Sequence, residues 1–278
     1  MINPYADIRK VPLDYQGIQS SAYAVQYENW KDHGTEWKEA GVVSKDYLLI
    51  PNSNVKDLVD ELAGTTGFNW EVAKEYFNGK KYVYSLFAKG EGSSMRLDVG
   101  DTVGLGINAW NSYDGSVSFN LRFMAYRLAC LNGMLSANSF SSFKFKHGPE
   151  SDNYEEEVKK ATKMLEGGPK QLRAFATACN NLNRTITLDD LADIRTNVIP
   201  DIPTSIYGKI VDEYFSGMKN REESLDSKTG IWTGSYMNTA WDFLNASTRV
   251  LWHNDKTTVA DYKHNQYIVD NMMNAYEG

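Results

Sequence analysis

Between Gly115 and Pro149 the chain carries Arg122, Arg127, Lys144, Lys146 and His147, and not one Asp or Glu. Thirty-five residues without an acid stand out in a chain that holds 36 Asp and Glu. Tyr113 lies just before this stretch and Tyr126 inside it. Cations that track phosphates, beside rings that stack bases, are what sequence-tolerant binding of a single strand requires. Arg122, Arg127, Lys144, Lys146 and His147 are therefore candidate phosphate contacts, and Tyr113 and Tyr126 candidate stacking platforms. The competing reading is a solvated sheet face whose counter-charges come from elsewhere in the fold. Arg127 sits in the apolar run Met124-Ala-Tyr-Arg-Leu-Ala-Cys130. A buried arginine requires a carboxylate, which Asp114 or an acid of the C-terminal half is expected to supply.

Other reactive residue types lack the spacing that chemistry needs. His33, His147, His253 and His264 are scattered, whereas a metal site needs three or four convergent ligands. There is no G-x-S-x-G elbow and no G-x-x-x-x-G-K-S/T phosphate loop. Gly100, Gly104 and Gly106 fall inside a strand pattern, where they signal close backbone approach. Asp98, Asp101 and Asp114 fit turn positions better than a Mg²⁺ site. Cys130 and Cys179 form no C-x-x-C pair and lie in apolar surroundings, as buried thiols of a reducing compartment do. The expectation is a protein with no catalytic site, no metal and no cofactor.

Composition bounds the rest. A net charge of −7 argues against nucleic-acid binding over the whole surface but leaves room for a local basic patch. At 42% hydrophobic and 23% charged residues, the 278-residue chain can bury an ordinary core. Met1–Lys10 has no apolar signal segment, and no run approaches the roughly 18–20 apolar residues of a membrane span. A cytoplasmic location in a host cell is expected.

The elements that would position these residues follow from periodicity. Residues 1–45, with Tyr5, Tyr15, Tyr23, Tyr27, Trp30 and Trp37, are expected to form an N-terminal arm packed over some other surface. Tyr47–Ile50 is a short apolar run ended by Pro51 and predicts a strand. Ser53–Ala63 predicts a helix, with Val55, Leu58, Val59 and Leu62 on one face. Period-two alternation over Tyr82–Phe87 predicts a strand after the Asn78-Gly79 turn. Thr102–Asn111 and Ser116–Met124 predict a hairpin about Tyr113-Asp-Gly115. Tyr126–Ala137 predicts a helix and Ser139–His147 a strand. From Ser151 the pattern is helical: 151–166, then a start at Thr187 with Asp190 as a capping-box partner, then Pro203–Phe215, Ser235–Trp252 and Val259–Tyr276. The order gives an α+β fold, with a β-rich core at 46–150 and a helical region at 151–278 packed on it as one continuous domain.

Three segments resemble a known family. Asn111-Ser-Tyr-Asp-Gly-Ser116 is similar to its x-N-S-H/Y-D-G-S turn. Arg127, Cys130 and Asn132 match its F-T-P-x-R-x-V-C-x-N segment, with Met124-Ala125 where Thr-Pro is usual. Thr239, Trp241, Asn245, Ala246 and Thr248 match its T-x-W-x-x-x-N-A-x-T helix, with His253 following. The chain thereby resembles the phage- and plasmid-borne family known as domain of unknown function 932. The resemblance implies a setting in phage genomes and mobile elements, near replication or recombination genes. The expectation is a non-catalytic homo-oligomer that binds or anneals single-stranded DNA. The alternative is a protein-binding module acting on a host or phage protein, in host takeover or counter-defence; the acidic average and the N-terminal aromatics fit it.

Overall fold

The computed structural model describes residues 2–31, 34–145, 147, 156, 159–160, 163, 167–222, 239–253 and 258–277. Strands dominate the N-terminal half and helices the C-terminal half, so the fold is α+β. The chain divides into two compact units. The first comprises Met1–Ser93, Leu105–Phe123 and Ser141–Pro169; the second comprises Ser94–Gly104, Met124–Phe140 and Lys170–Gly278.

In the first unit the N-terminal segment is a sheet rather than an arm. Strands β1 (Ile8–Tyr15), β2 (Ile18–Lys31) and β3 (Gly34–Ser44) pair antiparallel in that order. Gln16 and Gly17, both at positive φ, make the first turn. Ala24, Val25 and Tyr27 of β2 are buried. Tyr47–Ile50 forms no strand; the Leu48 N–H bonds the His147 carbonyl at 3.3 Å. Helix α1 (Asn52–Gly64) follows Pro51 and buries the expected stripe of Val55, Leu58, Val59 and Leu62.

The second sheet of this unit has the order β10-β8-β7-β5-β4. Its members are β4 (Asn69–Phe77), β5 (Lys81–Lys89), β7 (Thr102–Ser112), β8 (Phe119–Arg127) and β10 (Ser142–Phe145). Tyr82–Ala88 of β5 are buried on both faces, as a central strand requires. The Tyr84 hydroxyl donates to Asp60 of α1 at 2.9 Å. Tyr5 and Tyr82 both donate to Glu75 of β4 and tie down the N-terminus.

Strands β7 and β8 run on into the second unit. There β6 (Ser94–Arg96) pairs with the start of β7, and β9 (Asn132–Met134) with the end of β8. The helix expected over Tyr126–Ala137 is therefore absent: β8 continues to Arg127, and the chain reverses before β9 with Leu131 at positive φ. Met124, Ala125 and Tyr126 are buried without interruption. Such an apolar run carries no period that separates strand from helix. Gly133 of β9 faces Met124 and Trp252 so closely that a Cβ would lie 2.7 Å from the indole.

The helices are α2 (Gly168–Asn181), α3 (Leu188–Asp193) with a π-helical turn (Ile194–Val198), α4 (Thr204–Glu222), α5 (Ala240–Trp252) and α6 (Val259–Ala275). Three start in capping boxes of one type: Thr187 with Asp190, Thr239 with Asp242, and Thr258 with Asp261. Trp241, Phe243, Leu244, Leu251 and Trp252 of α5 are buried. The expected helix over 151–166 lies outside the described residues, except for a few positions such as Glu156 and Lys160, which pair at 3.7 Å. No described helix is long and apolar enough to cross a membrane.

Candidate functional site

The acid-free stretch forms β8 and the edge strand β10. Their antiparallel register sets Arg122 opposite Ser142 and Asn120 opposite Lys144, so these four share one face. Arg122 is half-buried; its Nε donates to Asn120 Oδ1 at 3.0 Å, and its guanidinium lies 5.9 Å from the Trp110 ring centre. Lys144 is exposed. Phe143 turns to the other face and meets Phe119 edge-on.

The remaining candidates do not join them. Tyr113 is 1% exposed, and its hydroxyl accepts the Asn52 N–H at 2.9 Å. Burial pushes its pKa up, and no face of the ring is open for a base to stack on. Tyr126 is fully buried and lies edge-on to Trp252 at 5.6 Å, so it is core in the second unit. Both lie on or beside strands buried on both faces, where a large ring serves packing. His147 stacks on Tyr47 at 4.6 Å, and its Nδ1 lies 2.8 Å from the Leu48 carbonyl. Burial lowers its pKa, so it is neutral at pH 7 and no phosphate cation. Lys146 lies outside the described residues.

The His147 shift has a consequence for stability. The folded-state pKa is below the unfolded value of about 6.5. Below that pH the unfolded chain takes up a proton that the folded chain refuses. The stability this neutral ring contributes is thus complete above about pH 6.5 and is lost as pH falls through the folded pKa. In urea unfolding at pH 7.5 and 5.5, the wild type should lose more stability than His147→Phe. Equal losses would mean that the fold leaves the imidazole as easily protonated as in the unfolded chain.

Arg127 belongs to the second unit and has a carboxylate, but from neither expected source. Asp101, just before β7, accepts its Nε at 2.9 Å and its Nη2 at 3.0 Å. The same carboxylate accepts the Trp241 indole N–H at 2.7 Å. Both charged side chains are only about one-fifth exposed, at 21% and 19%. Burial alone would lower the guanidinium pKa; the bond and charge of Asp101 reverse this and raise it. Arg127 is therefore a structural ion pair rather than a phosphate contact. Counting outward from the Asp114-Gly115 turn would set Arg127 against Thr102, but the Leu128 N–H bonds the Thr102 carbonyl at 2.9 Å, so the register is one residue away from that count and the turn alone did not identify Asp101.

The motif residues supply architecture. Asn111 donates to the Ile50 carbonyl at 2.8 Å and to Asn52 Oδ1 at 3.1 Å. Ser112 Oγ closes on Val117, and Asp114 accepts the Ser116 N–H at 3.0 Å. In the second unit Asn132 meets His253 Nε2 at 2.8 Å and donates to the Asn245 carbonyl at 3.3 Å. Asn265 of α6 bonds Gly133 and Leu135. The second and third motifs thus meet where β9 receives α5 and α6. Among the described residues no group of three or more His, Cys, Asp or Glu is placed to hold a metal ion.

The N-terminal aromatics fitted a protein-binding module, and of the exposed large apolar residues on the N-terminal sheet, Ile18 at 73%, Trp30 at 68% and Val42 at 50%, only Trp30 is one of them. The Arg9 guanidinium covers the Trp37 ring at 3.9 Å.

The chain matches no curated protein and no solved structure. The family model described as Domain of unknown function (DUF932) matches residues 39–273, which include all three motif segments and leave β1, β2 and the start of β3 outside. With well over half of its length matched, the chain belongs to that family.

Proposed function

We propose that this protein acts without catalysis, by binding a host or phage protein through its N-terminal sheet. The observation that carries this reading is the exposure of Ile18, Trp30 and Val42 on one small sheet. Val42 lies opposite Ala24, midway along β2 between Ile18 and Trp30, so the three string out along the sheet as separate contact points rather than one patch. The net charge of −7 disfavours polyanions as the general partner. Capture from host lysate tests it. The wild type and Leu188→Asp, a control at another exposed apolar residue, should retain the same protein, and Ile18→Asp/Trp30→Asp should lose it. Equal capture by all three, or none by the wild type, overturns the reading.

One observation favours a second reading, single-strand binding or annealing in replication or recombination. Asn120, Arg122, Ser142 and Lys144 form a face on two strands that contain no acid. With the two cations described on this face, such binding is shallow in salt: a log–log slope of about −1.4 for two phosphates of a single strand. Fluorescence anisotropy on oligo-dT, with Lys144→Glu as the variant, measures it. No binding at about 50 mM salt rejects it.

A further inference from the structure

We infer that the outer edge of β3 pairs with the β3 edge of a second copy of this chain, antiparallel about Trp37. This rests on the reading of the N-terminal sheet as a protein-binding surface, and names one occupant of it.

Strand β3 is hydrogen-bonded to β2 on one side, and among the described residues no strand follows it in this sheet. An open edge is a row of backbone donors and acceptors that templates another strand. The two edges of this sheet differ. On β1, Pro12 removes a donor, and the register slips between Pro12 and Asp14; both features blunt an edge. On β3 the run Gly34–Glu39 has no proline and is regular, its bulge coming only after Glu39. Gly34, Thr35, Glu36, Lys38 and Glu39 are all exposed.

The sequence of this run is self-complementary. A two-fold axis at Trp37 sets Glu36 of each copy opposite Lys38 of the other, and Thr35 opposite Glu39. Opposite charges directly across an antiparallel pair stabilise it, and no like charges face each other in this register. The two Trp37 rings meet at the axis, each on the sheet face where Arg9 already stacks. A symmetric, isologous contact of this kind is the commonest way for two copies to associate. The run is short, so the association is weak and depends on concentration.

The full-length Trp37→Cys variant tests the register. Directly opposed residues of an antiparallel pair have Cα atoms about 4.5–5.5 Å apart, within disulfide reach. Mild oxidation should give a disulfide-linked dimer on a non-reducing gel. The wild type, with its half-buried Cys130 and buried Cys179, and Ile18→Cys, at the far end of the sheet, should stay monomeric. In equilibrium sedimentation of chains without the added cysteine, Lys38→Glu should raise the dimer dissociation constant at least about tenfold, and Glu36→Lys/Lys38→Glu should restore it. A Trp37→Cys chain that does not crosslink, or a charge swap that fails to rescue, overturns the self-pairing. If it fails while Ile18- and Trp30-dependent capture persists, only the choice of occupant falls.

Discussion

Asp101→Ala should lower the unfolding free energy by about 3–5 kcal/mol, because it strands Arg127 as a buried charge without its partner. The carboxylate takes three bonds at once, two from the guanidinium and one from the Trp241 indole. Losing it leaves two donors of Arg127 and the indole N–H to find water in a place that is about four-fifths enclosed. The cost is that of an uncompensated charge, not of the bonds themselves. Replacing both partners separates these terms. Asp101→Leu/Arg127→Met removes charge from both sides and leaves only the Trp241 indole N–H without its acceptor, so it should cost about 1–3 kcal/mol, less than Asp101→Ala. Urea unfolding of the two variants decides. An Asp101→Ala loss below about 1 kcal/mol would show that Arg127 reaches solvent, and would reopen it as a phosphate contact.

That ion pair shows where the sequence was legible and where it was not. Arg127 in an apolar run announced a carboxylate, because the cost of a bare buried charge is independent of fold. Which carboxylate depended on register, and register did not follow from the Asp114-Gly115 turn, because counting from it misses the observed Leu128–Thr102 bond by one residue. The run Met124–Tyr126 hid the continuation of β8, since burial on both faces erases the alternation that marks a strand. The same cause removed Tyr113 and Tyr126 from the site: a tyrosine in a sequence looks alike whether its ring faces water or a helix. Capping boxes were legible at Thr187, because Thr and Asp three apart act locally. The N-terminal sheet was missed as a sheet because its aromatics include rings on both faces, Tyr27 buried and Trp30 exposed. Arg122 and Lys144 were placed together because their strands alternate cleanly.

Gly41→Ala should cost about 2–3 kcal/mol, far more than a methyl group costs where there is room. A Cβ at Gly41 would lie 2.7 Å from both Cα and Cβ of Asp114. The atoms it meets belong to a turn that cannot swing aside. Asp114 holds the Ser116 N–H, the Tyr113 N–H bonds the Lys80 carbonyl at 2.7 Å, and the Tyr113 hydroxyl is fixed on Asn52. The strain must therefore displace β3, and with it the seat of the N-terminal sheet on the family's own turn. Asp114→Gly in the same chain removes one of the two contacts and should recover part of the loss. Gly64→Ala is the control: nothing lies within 4 Å of its Cβ, and in a helix the change should be neutral or stabilising. Thermal unfolding of the four chains measures this. A Gly41→Ala chain within about 0.5 kcal/mol of the wild type would mean that the sheet is not held by this turn. If it is held there, Gly41→Ala should also weaken partner capture, although residue 41 is none of the exposed apolar side chains that carry it.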